Sequence, residues 1–194
     1  MSARIRYSEV KGNTVPYPPL FDEIRRNYGF VDTRGQPDRI AEIPEARESM
    51  GLTAVLRALA KPGAPLVSLG CDLGQHLEPK SRIKTRHVAG GYVQVVSAQA
   101  MEPVQEFEFL RAVGTAIESG FKDGAASDVW VVDLQLAPVV LKFDIEIECR
   151  SIWIWFYAKA STPDRAIAAR ERLLLSLERV IDTHRDTTSM AVAD

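Results

Sequence analysis

The stretch that decides the fold is residues 129–159, VWVVDLQLAPVVLKFDIEIECRSIWIWFYAK. β-Branched and aromatic residues, which are enriched in strands, dominate it. Ile145, Ile147 and Cys149 alternate with acidic residues, and this alternation predicts a strand with one face on the core and one in water. Residues 152–157 are apolar at every position, so they are expected at the centre of the sheet or under another covering element. We predict three strands, at 129–137, 139–149 and 152–159.

A hairpin is predicted upstream of this stretch. From Leu66 the apolar residues recur at every second position, which predicts a strand whose core face is formed by Val67, Leu69, Cys71 and Leu73. A second strand, at 92–99, follows two glycines. We expect an antiparallel pair with a long connection.

Three helices are predicted from the 3.6-residue spacing of their apolar residues. They cover residues 44–60, 103–119 and 163–183. The last has the clearest signals, because Thr162 is a favourable N-cap and Pro163 fits the first turn. Leu177 lies on its apolar stripe, and we expect both Leu177 and Ile147 to be core residues.

The order of these elements predicts an α+β fold, with a mostly antiparallel sheet of about five strands and two or three helices packed on one face. Residues 1–43 hold four of the chain's prolines before Pro44, which predicts an extended, proline-rich N-terminal arm with one short helix at 20–28. Residues 44–185 are interpreted as a single α+β domain. Residues 186–194 are interpreted as a flexible tail.

Composition narrows the function classes. A formal net charge of −2 argues against a general binder of nucleic acid or anionic membranes. The start of the chain has no apolar segment typical of a secretory signal, and the longest apolar run, 152–158, is shorter than the roughly 20 residues of a membrane helix. We therefore expect a cytoplasmic protein with no membrane contact. The frequent alanine and arginine indicate a bacterial source.

The two cysteines, Cys71 and Cys149, are predicted to be buried free thiols. They cannot supply the cysteine cluster of a zinc site, and the sequence contains no phosphate loop, dinucleotide turn or nucleophile elbow. We expect no cofactor and no metal.

One hypothesis for chemistry starts from Asp72 and His76, which share a predicted strand face. His87 could join them across the hairpin. A carboxylate beside histidines suits general base catalysis, so a small enzyme with this site is one alternative. An ordinary solvated strand face explains the same residues.

A second hypothesis starts from basic residues at every second position: Lys80, Arg82, Lys84 and Arg86. In an extended chain they form one row, which could bind a phosphate ligand or nucleic acid. Within residues 102–148 the acidic residues outnumber the basic ones, so the charge of the chain is unevenly distributed. Charged faces that are simply solvated remain the alternative.

The aromatic residues carry the leading hypothesis. Trp153 and Trp155 share one face of the 152–159 strand, and the arm offers Phe21. The predicted helices cover only one face of the sheet, so we expect these residues to form an interface. The sequence therefore favours a non-catalytic protein–protein interaction or assembly module, of the adaptor, inhibitor or immunity type. Its partner would be another protein or a second copy of this chain, in a homo-oligomer.

Overall fold

A computed structural model describes residues 2–7, 12–21, 26–81, 84–98 and 129–190, together with residues 104, 105, 108, 111, 112, 114 and 115. The elements in chain order are β1 (Ser2–Tyr7), β2 (Asn13–Val15), β3 (Leu20–Phe21), β4 (Arg26–Asn27), a 3-10 helix (Pro37–Glu42), α1 (Pro44–Arg47), α2 (Met50–Ala60), β5 (Leu66–Ser81), β6 (Lys84–Ser97), β7 (Val129–Lys142), β8 (Glu146–Ala160) and α3 (Pro163–Met190). The described residues between 104 and 115 are also helical.

The main sheet is curled and mixed, with strand order β1–β7–β8–β6–β5 and with β2 also paired to β7. The pairs β5–β6, β6–β8 and β7–β8 are antiparallel. The pairs β1–β7 and β2–β7 are parallel. The α+β class is confirmed. The two parallel pairs come from the N-terminal segment, which the sequence had indicated as an irregular arm.

Strand β8 lies between β6 and β7, as expected for a segment that is apolar on both faces. Its residues Ile152, Ile154 and Phe156 belong to the main core, which it shares with both neighbouring strands and with helices α2 and α3. The largest fully buried members of that core are Trp130, Leu52, Leu56, Leu66, Leu134, Ile154, Leu173, Leu174 and Leu177.

The predicted division of residues 129–159 into three strands was wrong. Strand β7 continues through Pro138 to Lys142, and β8 runs unbroken from Glu146 to Ala160. Pro138 is tolerated because pairing on the outer edge of β7 passes from β1 to β2 there, between Leu136 and Val139. A proline, which lacks a backbone donor, is accepted where a ladder is interrupted.

The β5–β6 hairpin is confirmed, but its predicted long connection was wrong. Pairing continues to Ser81 and Lys84. The charged residues of this region lack the apolar alternation by which a strand is recognised. A register shift between Ser68 and Gly70 also divides the predicted core face. Val67 and Leu69 belong to one cluster, whereas Cys71 and Leu73 pack against the other.

Two helix predictions need correction. The segment 44–60 forms two helices, because Ser49 interrupts it and its Oγ accepts a hydrogen bond from the backbone N–H of Leu52 at 3.0 Å. The short helix at 20–28 was wrong, since β3 and β4 form an antiparallel pair there. The pair brings the rings of Phe21 and Tyr28 edge to face at 5.5 Å, whereas an isolated helix of that length is marginal.

The N-terminal segment covers part of the second face of the main sheet. Val15, with Tyr17 and Phe30 beside it, packs against Leu69 and Val139 in a second core cluster. At the other end of the chain, α3 extends to Met190, beyond the predicted end at residue 183, because no proline or glycine stops it. The proposed domain limits at 43 and 185 stay predictions.

One of the two core residues named from the sequence is exposed. Leu177 is 2% exposed, whereas Ile147 is 45% exposed and Ile145 is 69% exposed. The alternation at 145–149 had indicated a buried face, but this end of the β7–β8 hairpin extends past the last paired residue of β6, Val96, which lies opposite Ser151. Among the described residues, β2 pairs with the β7 side of this end, and no strand pairs with residues 146–150 on the β8 side.

We predict that Leu177→Ala lowers the free energy of unfolding by about 2–5 kcal/mol, because it leaves a cavity in the core. Ile147→Ala should change it by less than about 0.5 kcal/mol, as is usual for surface positions. Denaturant midpoints at constant slope measure both. Equal losses for the two variants would contradict this assignment.

Helices α2 and α3 are joined by the Glu171 carboxylate, which caps α2 and also pairs with the buried Arg170 cation of its own helix. The Glu171 carboxylate accepts hydrogen bonds from the backbone N–H of Gly51 at 2.7 Å and from the Ser49 hydroxyl at 2.8 Å. It also binds the Arg170 guanidinium at 3.0 Å, and the Arg170 side chain is 5% exposed. Gly51 permits this approach, since a Cβ there would lie 2.8 Å from Cβ of Leu174.

We expect Glu171→Ala to lower the free energy of unfolding by about 3–5 kcal/mol, because it leaves the buried Arg170 cation without its counter-ion. Glu42→Ala is the matched control, since Glu42 forms an exposed pair with Arg39 and exposed pairs contribute little to stability. Thermal and chemical unfolding report both. A Glu171→Ala protein as stable as the control variant would disprove the role of the pair.

Candidate functional site

Within the described residues, the N-terminal segment packs against one part of the second face of the main sheet, and a cluster of aromatic side chains occupies the other part. A buried polar network marks the division, in which Gln94 exchanges two hydrogen bonds with Asn13, at 2.9 and 3.1 Å, and donates a third to the Ser151 hydroxyl at 2.9 Å. Ser151 donates in turn to the carbonyl of Ala137 at 3.2 Å. On one side lies the second core cluster. On the other lie four half-buried aromatic residues, here called the aromatic face: Tyr92, Trp153, Trp155 and Tyr157.

The aromatic face is built by strand alternation. Trp153, Trp155 and Tyr157 are successive residues on one side of β8, and Tyr92 lies on β6 directly opposite Trp155. The Tyr92 ring is 4.7 Å from Trp153 and 4.8 Å from Trp155, centroid to centroid. The two indoles are nearly parallel, at 12°, with centroids 5.8 Å apart. Such separations are typical of favourable aromatic pairs.

Glycine contributes to this arrangement. A Cβ at Gly90 would lie 2.7 Å from both the carbonyl oxygen of Phe156 and the ring of Tyr157. Only glycine lets the Tyr157 ring lie against β6 in this way. The indole Nε1 of Trp155 is buried and makes no hydrogen bond to any described residue.

Carboxylates lie at both ends of one row across the face. Asp72 on β5 is opposite Tyr92, and Asp133 on β7 is opposite Trp155. Adjacent strands are about 4.8 Å apart, and the four residues of this row lie on four neighbouring strands, β5, β6, β8 and β7. At the β1 edge, Arg4 and Arg6 occupy the register positions opposite Asp133 and Gln135.

The β5 end of the row is electrostatically negative. Burial raises the pKa of the Asp72 carboxyl, and burial followed by repulsion from Asp72 raises the pKa of Glu45 on α1. The pKa of Tyr92 is raised mainly by burial, with added repulsion from Tyr17, Asp72, Cys71 and Glu45. The pKa of Tyr17 rises to about 12, again mainly through burial, with repulsion from Cys71 and Glu45. Any cation brought here would relieve this repulsion.

The structure does not bring Asp72, His76 and His87 together. Asp72 and His76 are four residues apart on β5 and so share one face. His87, however, pairs with Leu77, and the residue opposite His76 is Val88. Directly opposed residues share a face, so His87 belongs to the other face. The side chain of His76 lies outside the described residues, and Asp72 lies close enough to Glu45 to raise the pKa of that carboxyl.

The basic residues do not form the single row expected from an extended chain. Lys80 belongs to β5, Lys84 and Arg86 belong to β6, and the chain reverses between Ser81 and Lys84. Arg82 and the side chains of the other three lie outside the described residues. The backbone therefore places Lys80, Lys84 and Arg86 near the tip of a hairpin.

The three predicted interface residues are all accessible to some degree. Phe21 is 60% exposed on the β3–β4 pair, where Leu20 is 56% and Tyr28 is 45% exposed. Trp153 and Trp155 are half-buried on the aromatic face. Phe21 thus belongs to one apolar surface, on the β3–β4 pair, and the two tryptophans belong to another, on the main sheet.

Sequence reasoning missed Tyr92, Gln94 and Glu45 as parts of the site. A polar residue between valines, as at Gln94, was a signal for a buried polar contact. Nothing in the sequence places Glu45 beside Asp72, because that proximity depends on how α1 packs against the edge strand.

Both thiols are free. They lie on β5 and β8, which are separated by β6, so they cannot pair. Burial, with repulsion from Glu45 and Asp72, raises the pKa of the Cys71 thiol to about 12. Burial also raises the pKa of Cys149. A thiol as protonated as Cys71 is a poor nucleophile. Within the described residues, no three histidine, cysteine or acidic side chains are grouped to hold a metal.

We predict that Cys149 reacts before Cys71 with a disulfide reagent at pH 8. With a pKa of about 12, the thiolate fraction of Cys71 is on the order of 10⁻⁴ at that pH. The single variants Cys71→Ser and Cys149→Ser each leave one thiol, whose absorbance-monitored rate is then measured in the folded protein. Faster labelling of Cys149→Ser than of Cys71→Ser would refute this order.

The fold and site together define an α+β protein with a curled mixed sheet that carries an aromatic surface. No family model, no curated protein and no solved structure matches this chain.

Proposed function

We propose that this chain is a non-catalytic protein–protein interaction module and that the aromatic face is its principal contact surface. The observation that carries the proposal is the cluster of Tyr92, Trp153 and Trp155, whose rings contact one another on a sheet face that the N-terminal segment covers only in part.

Aromatic residues support this function for a physical reason. Each tryptophan or tyrosine can bury about 150–250 Å², and such residues are enriched among the side chains that contribute most to protein binding. A stacked cluster is also pre-organised, so little side-chain freedom is lost on binding. The exposed pair Phe21 and Tyr28 offers a second apolar contact.

The partner is another protein or a second copy of this chain, and a homo-oligomer in a bacterial cytoplasm is part of the proposal. Among the described residues, no helix is long and apolar enough to cross a membrane. The proposal includes no cofactor and no membrane contact.

A small enzyme is the second candidate. The proximity of Asp72 and Glu45, whose pKa values are both raised mainly by burial, favours it, because raised carboxyl pKa values suit proton transfer near neutral pH. The third candidate, binding of phosphate or nucleic acid through Lys80, Arg82, Lys84 and Arg86, rests on sequence charge alone.

The test compares three immobilised proteins in a lysate of the source organism: the parent, Trp153→Ala and Met50→Ala. Met50 is 85% exposed on α2 and serves as the control for loss of an exposed apolar side chain. We expect a protein, identified by mass spectrometry and then purified, whose affinity for Trp153→Ala falls by about 30-fold or more, as for a major contact residue.

Light scattering over a dilution series examines the second-copy case. An oligomer that dissociates in Trp153→Ala, with circular dichroism unchanged, is the expected result for self-association. A monomer at every concentration, with no captured protein lost by Trp153→Ala, would reject the module proposal.

A further inference from the structure

We propose that the partner presents a cationic side chain, an arginine or a lysine, to the end of the aromatic face formed by Tyr92 and Asp72. This inference rests on the proposed function, because it specifies the chemistry of the partner at the same surface.

Ring geometry provides the first part of the argument. The faces of tyrosine and tryptophan rings are negative, and they attract a cation within about 6 Å of the ring centroid. The centroids of Trp153 and Trp155 lie 4.7 and 4.8 Å from that of Tyr92. The three rings therefore form one compact aromatic cluster, with Tyr92 on its β5 side.

Charge complementarity provides the second part. Asp72 is the cross-strand neighbour of Tyr92, and Glu45 lies close enough to raise the pKa of both Cys71 and Tyr92. Lys159 lies four residues along β8 from Trp155. Arg4 and Arg6 are at register positions on the opposite edge of the sheet. A cationic partner group is therefore favoured at the β5 end.

The molecule contains a smaller version of the proposed contact. The Arg34 guanidinium lies 4.2 Å from the centroid of the Phe143 ring, while its Nη2 is 2.6 Å from a carboxylate oxygen of Asp32. One cation thus contacts an aromatic face and a carboxylate together. We infer that a partner cation uses Tyr92 and Asp72 in the same way, with the two indoles enlarging the aromatic contact.

The test uses two synthetic peptides of equal length, acetyl-tetra-arginine amide and its tetra-citrulline counterpart. Citrulline keeps the size and hydrogen-bonding groups of arginine but has no charge. Tryptophan fluorescence and calorimetry are measured for the full-length protein at low salt. We expect the arginine peptide to bind at least about tenfold more tightly than the citrulline peptide, and its affinity to fall as salt is added.

Variants separate a specific contact from general attraction between opposite charges. Asp72→Asn should weaken arginine-peptide binding about three- to tenfold, whereas Asp38→Asn, the same charge change at an exposed position of the 3-10 helix, should leave it within twofold. Tyr92→Phe should keep binding, because the ring remains, whereas Tyr92→Leu should lose it. Unfolding midpoints confirm that each variant is folded.

Equal binding of both peptides, equal effects of Asp72→Asn and Asp38→Asn, or no arginine-peptide binding would overturn the inference. The proposed function would survive that outcome if Trp153→Ala still loses a captured partner while Asp72→Asn retains it. Conversely, arginine-peptide binding without any loss of partner in Trp153→Ala would retain the cation contact and reject the protein-interaction function.

Discussion

The structure depends on one constraint: residues 152–157 of β8 are apolar on both faces and lie in the middle of the sheet. Its residues Ile152, Ile154 and Phe156 are covered by the core that α2 and α3 complete. The alternate residues need separate coverage, and the N-terminal segment provides it only at the end near Val139. Within the described residues, the aromatic face lies on the part of the sheet that this segment does not cover, so the candidate site follows from how the core is closed.

The polar network at Gln94 forms the boundary between the second core cluster and the aromatic face. Gln94 is 1% exposed and Ser151 is fully buried, so an unpaired amide or hydroxyl there would lower stability by about 1–3 kcal/mol. Asn13 satisfies both ends of the Gln94 amide, which favours one placement of β2 along β7. Polar pairing thus fixes the position of β2 along β7, while Val15 and Tyr17 join the second core cluster through apolar contacts.

Sequence periodicity was sufficient where the side chains follow a regular period, which is two residues in the strand at 152–157 and 3.6 residues in the last helix. It was insufficient where tertiary context changes the local rule. Pro138 continues a strand because its missing donor faces an interrupted ladder, and a bulge at Leu69 moves Cys71 to the opposite face. For the site, Trp153 and Trp155 were found from spacing. The contribution of Tyr92 required the β6–β8 register, which no local pattern contains.

The parallel pairing of β1 with β7 also has a consequence for the time course of folding. Ser2 pairs with Val131, so β1 leaves the ribosome long before the strand to which it bonds. Until then its backbone groups can be satisfied only by water, by chaperones or by a neighbouring chain. Contacts this distant in sequence raise the contact order and slow folding. Nascent chains of this protein therefore pass through a prolonged stage in which an unpaired edge is available for incorrect association.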